Sequence, residues 1–340
     1  MTHSLPDNYM ARPATLDDAP CVANLWNDRS EATRGDRPAT PERVLRNWDH
    51  PKFNLSTGSR LIFAPDDTLI GYAHIRDVKD PPVDVFSGYS IHPDHDDSAW
   101  LWDDLFTWLE AEARRVIPKA PPDARVVLVA GSADTDPIEQ RELERYGFEH
   151  SRTFHRMQIN FDTENASHQQ KHHPVPDGVG IRAFVPGDDD EALVTAWCDA
   201  FSDHYGIIQQ PFEAELEEWR QLMRRDDFDP SLWFLPYDTE SGTVVGLCVC
   251  NASAPGSPGL GRISDVGVCD AWRRRGIGRS LLRHAFGALA QRGLAGAVLV
   301  EDSENKSGAP ALYEQVGMRS VGANHTYVKE LRPGVNLVPQ

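Results

Sequence analysis

The chain has 340 residues, room for two domains at about 100 to 200 residues each, and its 40% hydrophobic and 25% charged content is that of an ordinary globular protein. Thirty-four Lys and Arg against 52 Asp and Glu give a formal charge of −18, a field that repels nucleic acid and anionic membrane. No run approaches the roughly 18 apolar residues of a membrane span, and the opening MTHSLPDNYMARPATLDDAP lacks a basic stretch followed by an apolar core. A cytoplasmic protein with neither nucleic acid nor membrane as partner is expected. The five cysteines (Cys21, Cys198, Cys248, Cys250, Cys269) show no C-x2-C zinc spacing, so reduced core thiols and no metal are expected.

In chain order, a short strand around Arg12 is followed by a helical stretch carrying Trp26 and by paired, antiparallel strands around Gly71 (TLIGYAHI). Next comes Ile91-His92-Pro93-Asp94-His95-Asp96-Asp97-Ser98, read as a solvated acidic turn rather than a metal cluster. Glu144-Arg145-Tyr146-Gly147-Phe148 and His155 close the first half. From Asp162 to Gly178 the chain is polar, carries Pro174 and Pro176 and has no apolar period, which predicts a linker; His168, His172 and His173 within it read as solvated side chains.

The same order then recurs. Arg182 stands 170 residues after Arg12, Trp197 lies in the next helical stretch, and the turn-rich Asp238–Gly242 precedes strands around Gly246 (TVVGLCVC). Glu314-Gln315-Val316-Gly317-Met318 and His325 match their first-half counterparts at the offset of 170. Two duplicated domains are expected, 1–162 and 179–340, joined by a linker at 163–178. Each reads as an α/β domain of the α+β type: a mixed, mostly antiparallel sheet flanked by helices.

The chemistry concentrates where the strand Ile263–Cys269 runs into Asp270-Ala271-Trp272-Arg273-Arg274-Arg275-Gly276-Ile277-Gly278-Arg279-Ser280. A helix follows with Ile277, Leu281, Leu282, Ala285, Phe286 and Leu289 on one stripe. Glycine in a first helical turn and arginines at a helix N-terminus both oppose helix stability. A bound anion resolves both conflicts, because free first-turn amides and flanking guanidinium groups close around a pyrophosphate. From Arg262 to Arg292 there are seven Arg against two acids, a local +5 in an acidic chain. A dinucleotide-binding Rossmann turn does not fit, since G-x-G-x-x-G is absent.

Val268-x4-Arg273-x-x-Gly276-x-Gly278 resembles the [QR]-x-x-G-x-[GA] acetyl-coenzyme A loop of the GNAT superfamily of N-acetyltransferases. Asn305 to Met318 is similar to that family's Asn-to-LYExxGF segment, with one extra residue between Asn305 and Tyr313. The two-domain order resembles the tandem-GNAT arrangement also found in mycothiol synthase. The resemblance implies acetyl-coenzyme A as cosubstrate, with Val266, Gly267 and Val268 pairing with its pantetheine arm. It further implies that the loop of Arg273, Arg274, Arg275, Gly276, Ile277, Gly278, Arg279 and Ser280 holds the pyrophosphate, with Asn305 beside it. The acceptor it implies is the amine of a small molecule or peptide, and the expected assembly is a monomer or homodimer.

Acetyl transfer requires a base at the attacking amine and an acid at the leaving thiolate. Tyr313 matches the family's acid, against its alternative as a core aromatic. Where several family members carry a catalytic Glu, eleven residues before the loop Arg, this chain has Arg262. Asp265, His204 in Asp203-His204-Tyr205-Gly206, and Glu301 remain open as base. Strand alternation places Asp265 on the face opposite Arg262 unless a bulge intervenes. In the first half the corresponding loop lacks Gly and Arg, Asp84–Arg115 carries a net −6, and Leu143 stands at the Tyr313 position, so that half is expected to be degenerate. A mycothiol synthase-like enzyme and a noncatalytic acyl-coenzyme A-binding or sensing protein are the alternatives.

Overall fold

The computed structural model describes residues 5–50, 53–77, 80–161, 175–202, 204–207, 210–305 and 308–338. Most of the expected linker with His168, His172 and His173, and also Asp203, lie outside the described residues.

The chain forms two compact units, one of Met1–Thr153 with Ala323–Leu337 and one of Phe154–Gly322 with Val338–Gln340. The first half contributes β1 (Met10–Arg12), α1 (Ala19–Arg34), α2 (Pro41–Trp48), α3 (Leu55–Gly58), β2 (Ser59–Phe63), β3 (Leu69–Arg76), β4 (Asp84–Ile91), α4 (Ala99–Arg114), β5 (Val126–Ala133), α5 (Pro137–Arg145) and β6 (Glu149–Asn160). The second half repeats the order with β7 (Val179–Ala183), α6 (Asp190–Ala200), α7 (Phe212–Met223), β8 (Trp233–Asp238), β9 (Gly246–Asn251), β10 (Leu260–Val268), α8 (Ile277–Gln291), β11 (Gly296–Asp302), α9 (Ala309–Gln315) and β12 (Arg319–Arg332).

The strand order is β1-β2-β3-β4-β5-β12 in the first unit and β7-β8-β9-β10-β11-β6 in the second. In each, one pair is parallel, β4 with β5 and β10 with β11, and the other registered pairs are antiparallel. The mixed sheet expected from the sequence is present. The last strand of each half, however, is placed in the sheet of the other: Asn324–Arg332 of β12 runs along β5, and Phe154–Asn160 of β6 runs along β11.

The repeat extends to local contacts. Arg12 grips Asp18 through two bonds of 2.7 and 2.6 Å, and Arg182 grips Asp189 at 2.5 and 2.7 Å, each tying the first strand of a half to the start of its first helix. The Arg12 guanidinium holds the Asp18 carboxyl down at about 2. Helices α5 and α9 end alike, with Gly147 and Gly317 in the left-handed region at φ 77° and 94°. The amide of Phe148 returns to Leu143 and that of Met318 to Tyr313, both at 3.0 Å, which satisfies carbonyls of the last turn. The apolar stripe of α8 is buried against the second sheet.

Candidate active site

Two parallel strands that stop pairing make the cleft. β10 and β11 are in register only at Leu260–Gly296, Gly261–Ala297 and Arg262–Val298, whereas β9 follows β10 on to Val268. Beyond Arg262 the two strands form a fork whose β10 arm presents Val266, Gly267 and Val268. Gly267 is required there, since a Cβ would lie 2.8 Å from the Ala200 Cβ and 2.9 Å from Phe201 Cε2.

At the tip of that arm the chain makes the turn into α8. Arg274 has φ 63° and Gly276 has φ 87°, the left-handed region that an L side chain enters at a cost of about 1 to 2 kcal/mol. The turn is anchored on either side, Arg273 N–H to Asp270 at 3.1 Å and Ser280 N–H to Gly276 at 3.2 Å. Between these anchors the amides of Gly276, Ile277, Gly278 and Arg279 are first-turn groups that helix geometry leaves without an intrahelical acceptor. The turn stands at the positive end of a helix of 15 residues, a geometry suited to an anion. Gly278 lies against α9, where a Cβ would be 3.1 Å from Leu312 Cδ2.

The arginines divide the work. Arg273 bonds inward to the carbonyls of Val268 at 3.2 Å and Ala200 at 3.0 Å, so it fixes the turn to the fork and to the end of α6. Arg275 lies over the Trp272 ring at 4.5 Å. Arg274 and Arg279 are exposed, and the Arg274 Nη1 would be 3.1 Å from a Cβ at Gly308, the N-cap of α9.

One residue is inserted in β10 just past its last pair with β11. The register moves from Ile263–Cys250 to Asp265–Val249, so Ser264 is a bulge. Arg262 and Asp265 then oppose Asn251 and Val249, two apart on β9, and share a face. Trp197 Nε1 of α6 donates to Asp265 Oδ1 at 3.2 Å, and burial pushes that carboxyl up despite Arg262 and His204 nearby. Glu215 of α7, which is buried, is likewise raised, first by burial and then by Glu218, with Asp265 adding to it. Sequence reasoning missed Trp197 and Glu215 as neighbours of Asp265. Trp197 stacks on Phe201 at 5.6 Å, and Phe201 meets the His204 ring edge-on at 5.5 Å, while His204 Nδ1 lies 3.0 Å from the Tyr205 carbonyl.

Tyr313 of α9 is 8% exposed within the core of the second unit. Burial raises its phenol far above the usual range, and the Glu301, Cys248 and Asp265 charges add to the rise. Glu301 sits on the other arm of the fork, three residues past the last β10–β11 pair. Asn305 follows at the mouth, its amide bonded to the Asp302 carbonyl at 3.0 Å.

The first unit has the same fork and has filled it. β4 and β5 pair only from Asp84 to Phe86, but Ser87 Oγ then donates to the Val129 carbonyl at 2.8 Å and Tyr89 Oη to the Gly131 carbonyl at 3.2 Å. Tyr89 opposes Ala73 as Val266 opposes Cys248, so an aromatic packed on Trp102 and Phe106 stands where the second unit has valine. Asp96, expected in a solvated turn, is instead ion-paired to buried Arg29. Arg29 also bonds Asp136 twice at 2.7 Å and lies 3.8 Å from Glu139. Among the described residues no group of three or more His, Cys, Asp or Glu could hold a metal ion, and no helix is long and apolar enough to cross a membrane.

Residues 194–318 match the family model described as the acetyltransferase (GNAT) family. The chain is also similar to the GCN5-related N-acetyltransferase from Sphaerobacter thermophilus, a crystal structure, at 30% identity and a TM-score of 0.82. That match covers 98% of this chain and 99% of the other. The chain belongs to the GNAT family. It is an N-acetyltransferase, an acyltransferase of class EC 2.3.1, which sets aside the noncatalytic alternative. A tandem GNAT protein from the clavulanic acid biosynthesis pathway shares the fold at a TM-score of 0.71 and 11% identity, over 96% of this chain and all of that one. Two curated relatives, both named mycothiol acetyltransferase, come from Renibacterium salmoninarum (27% identical, 82% of each chain) and Streptomyces scabiei (28% identical, 79% of each).

Proposed function

We propose that this GNAT enzyme transfers the acetyl group of acetyl-coenzyme A to a primary amine of a small molecule or peptide, at a single centre in the second unit, in the cytoplasm. The observation that carries the reading is the left-handed turn Arg274–Gly276 at the tip of the splayed β10 arm. The edge of Val266–Val268 offers the pantetheine amides a strand to join, and the amides from Arg274 to Arg279, with Arg274, Arg275 and Arg279 around them, take the pyrophosphate, while the Ser280 amide is already held by the Gly276 carbonyl. Arg273 serves this site by holding the turn, and Asn305, just past the end of β11, completes it. The amine enters on the α6–α7 side, where Asp265 and Glu215 favour an ammonium and Asp265, with His204 at the rim, accepts the proton that must leave before attack. Tyr313 gives a proton to the departing thiolate.

A mycothiol acetyltransferase activity is the second reading, favoured by the two relatives so named and opposed by Arg262 at the family's usual Glu position. A panel of amines that includes the amine precursor of mycothiol, assayed by coenzyme A release, separates the two. Calorimetric titration with acetyl-coenzyme A is expected to give a stoichiometry near one per chain. A value near two would remove the single centre.

A further inference from the structure

Glu301 is a buried acid with an unfilled valence. It is 8% exposed on β11, and its Oε2 has no hydrogen-bond partner, a state that ordinarily costs stability and marks a group kept for another purpose. Alternation along β11 sets Glu301 on the face of buried Leu299 and Ala297, opposite exposed Val300. It is thus on the core side of the fork arm, within electrostatic reach of Tyr313. Asp265, on the α6–α7 side, serves the acceptor. Glu301 is available to the leaving group.

The phenol has a problem that this placement solves. If Tyr313 gives its proton to the thiolate, a phenolate is left in the core near Glu301 and Asp265, and burial first of all makes that anion costly. Turnover needs a proton source close behind the tyrosine.

We propose that Glu301 is that source, a carboxylic acid that returns a proton to Tyr313 directly or through one water. The inference rests on the acetyl-transfer reading above. The C–S bond of the tetrahedral intermediate breaks, and the thiolate sulfur takes the proton of Tyr313 Oη. The phenolate then takes the carboxyl proton of Glu301, and solvent reprotonates the carboxylate before the next cycle. The net reaction releases one proton, that lost by the substrate ammonium.

The titratable groups near Glu301 are Asp302, the next residue of its strand, Tyr313 and Glu314 on α9, and His155, its cross-strand neighbour on β6, whose Nδ1 lies 3.3 Å from Ser320 Oγ. Burial, followed by Glu314 and Asp302, pushes the Glu301 carboxyl up to about 7. The proton is therefore present below that pH and lost as pH rises through it, and wild-type kcat falls across the same window.

The test is Glu301→Gln, which keeps shape and removes the acid. Expected are a fall in kcat of about 10²-fold with the KM for acetyl-coenzyme A little changed, and loss of the kcat limb near pH 7. In a Tyr313→Phe background Glu301→Gln is expected to add almost nothing, because the two act in series. The limb persists in His155→Gln. Wild-type turnover in Glu301→Gln with the limb intact, or full additivity with Tyr313→Phe, or a limb that disappears with His155, would overturn the relay while leaving acetyl transfer standing. A wild-type enzyme that releases no coenzyme A with any amine sinks the underlying reading instead. Stability supplies a check on folding. The raised carboxyl favours the folded state below its ordinary value near 4.5, and that advantage is lost as pH rises through about 7, so Glu301→Gln melts no lower than wild type at pH 8.

Discussion

Gly276 is held at φ 87°, and a β-branched side chain there is strained whatever space surrounds it. A Cβ at this position would meet nothing closer than 3.8 Å, so the constraint is the backbone angle and the amides it aims rather than a clash. Gly276→Val is therefore expected to keep the fold, because the turn is a surface element, and to weaken acetyl-coenzyme A binding about tenfold or more as the turn relaxes away from the left-handed region, costing at least about 1.4 kcal/mol. Calorimetry on the folded variant checks it, and unchanged affinity would show that these amides do not hold the coenzyme. The turn itself was legible in the sequence, since glycine and arginine at a helix start oppose helix stability. The inward bonds of Arg273 to Val268 and Ala200 were not, because a carbonyl acceptor leaves no trace in side-chain identity. The unpaired Oε2 of Glu301 was equally hidden: burial of a strand-end acid depends on what α9 packs over it.

At the scale of elements, the repeated order of strands and helices was readable from periodicity and turn residues, and the Ser264 bulge was not. A bulge is a mismatch between two strands, and one strand's alternation carries no record of it. The first fork shows the same limit. Its acid surplus led to the expectation of poor pyrophosphate binding, and the structure adds what charge did not announce, Tyr89 across the fork and the ion cluster of Arg29 with Asp96, Asp136 and Glu139, joining α1, the turn after β4 and the start of α5. Burial and Asp136 raise the Glu139 carboxyl while Arg29, Ser132 and Arg34 oppose the rise, so three acids gather on the Arg29 guanidinium. Arg29→Met leaves three carboxylates around an apolar chain and is expected to destabilise the protein by about 3 to 5 kcal/mol. Urea unfolding measures this, and acetyl transfer in the surviving folded fraction should be unaltered if the proposed centre, in the other unit, is the one that acts. A loss below about 1 kcal/mol would mean that the acids discharge by taking up protons and that the clasp contributes little.

The molecule as a whole is less divisible than its duplicated sequence implies. Composition marks a boundary in the polar stretch after Phe161, yet β6 lies before that boundary and pairs with β11 beyond it, from Gly296–Asn160 to Asp302–Phe154. β12 in turn pairs with β5 over Asn324–Arg332. Long-range strand partnership is set by which apolar edges meet in three dimensions, and a repeat at a fixed offset is silent on whether equivalent strands pair within a half or across halves. A chain of residues 179–340 has α8, the anion turn and Tyr313, but it leaves the β11 edge of Gly296–Asp302 unpaired and β12 without its partner. Exposed apolar strand edges drive association, and Ala297, Leu299 and Tyr313 belong to the core that β6 helps close through Met157. This fragment is expected to be insoluble or associated, and coexpression with residues 1–162, which carry both β5 and β6, should restore a soluble complex that binds one acetyl-coenzyme A. Size-exclusion chromatography with circular dichroism, followed by titration of the complex, reads the outcome. A monomeric, cooperatively folding 179–340 fragment with full coenzyme affinity would show that strand exchange is dispensable, and that the first half is retained for reasons other than completing the second unit's sheet.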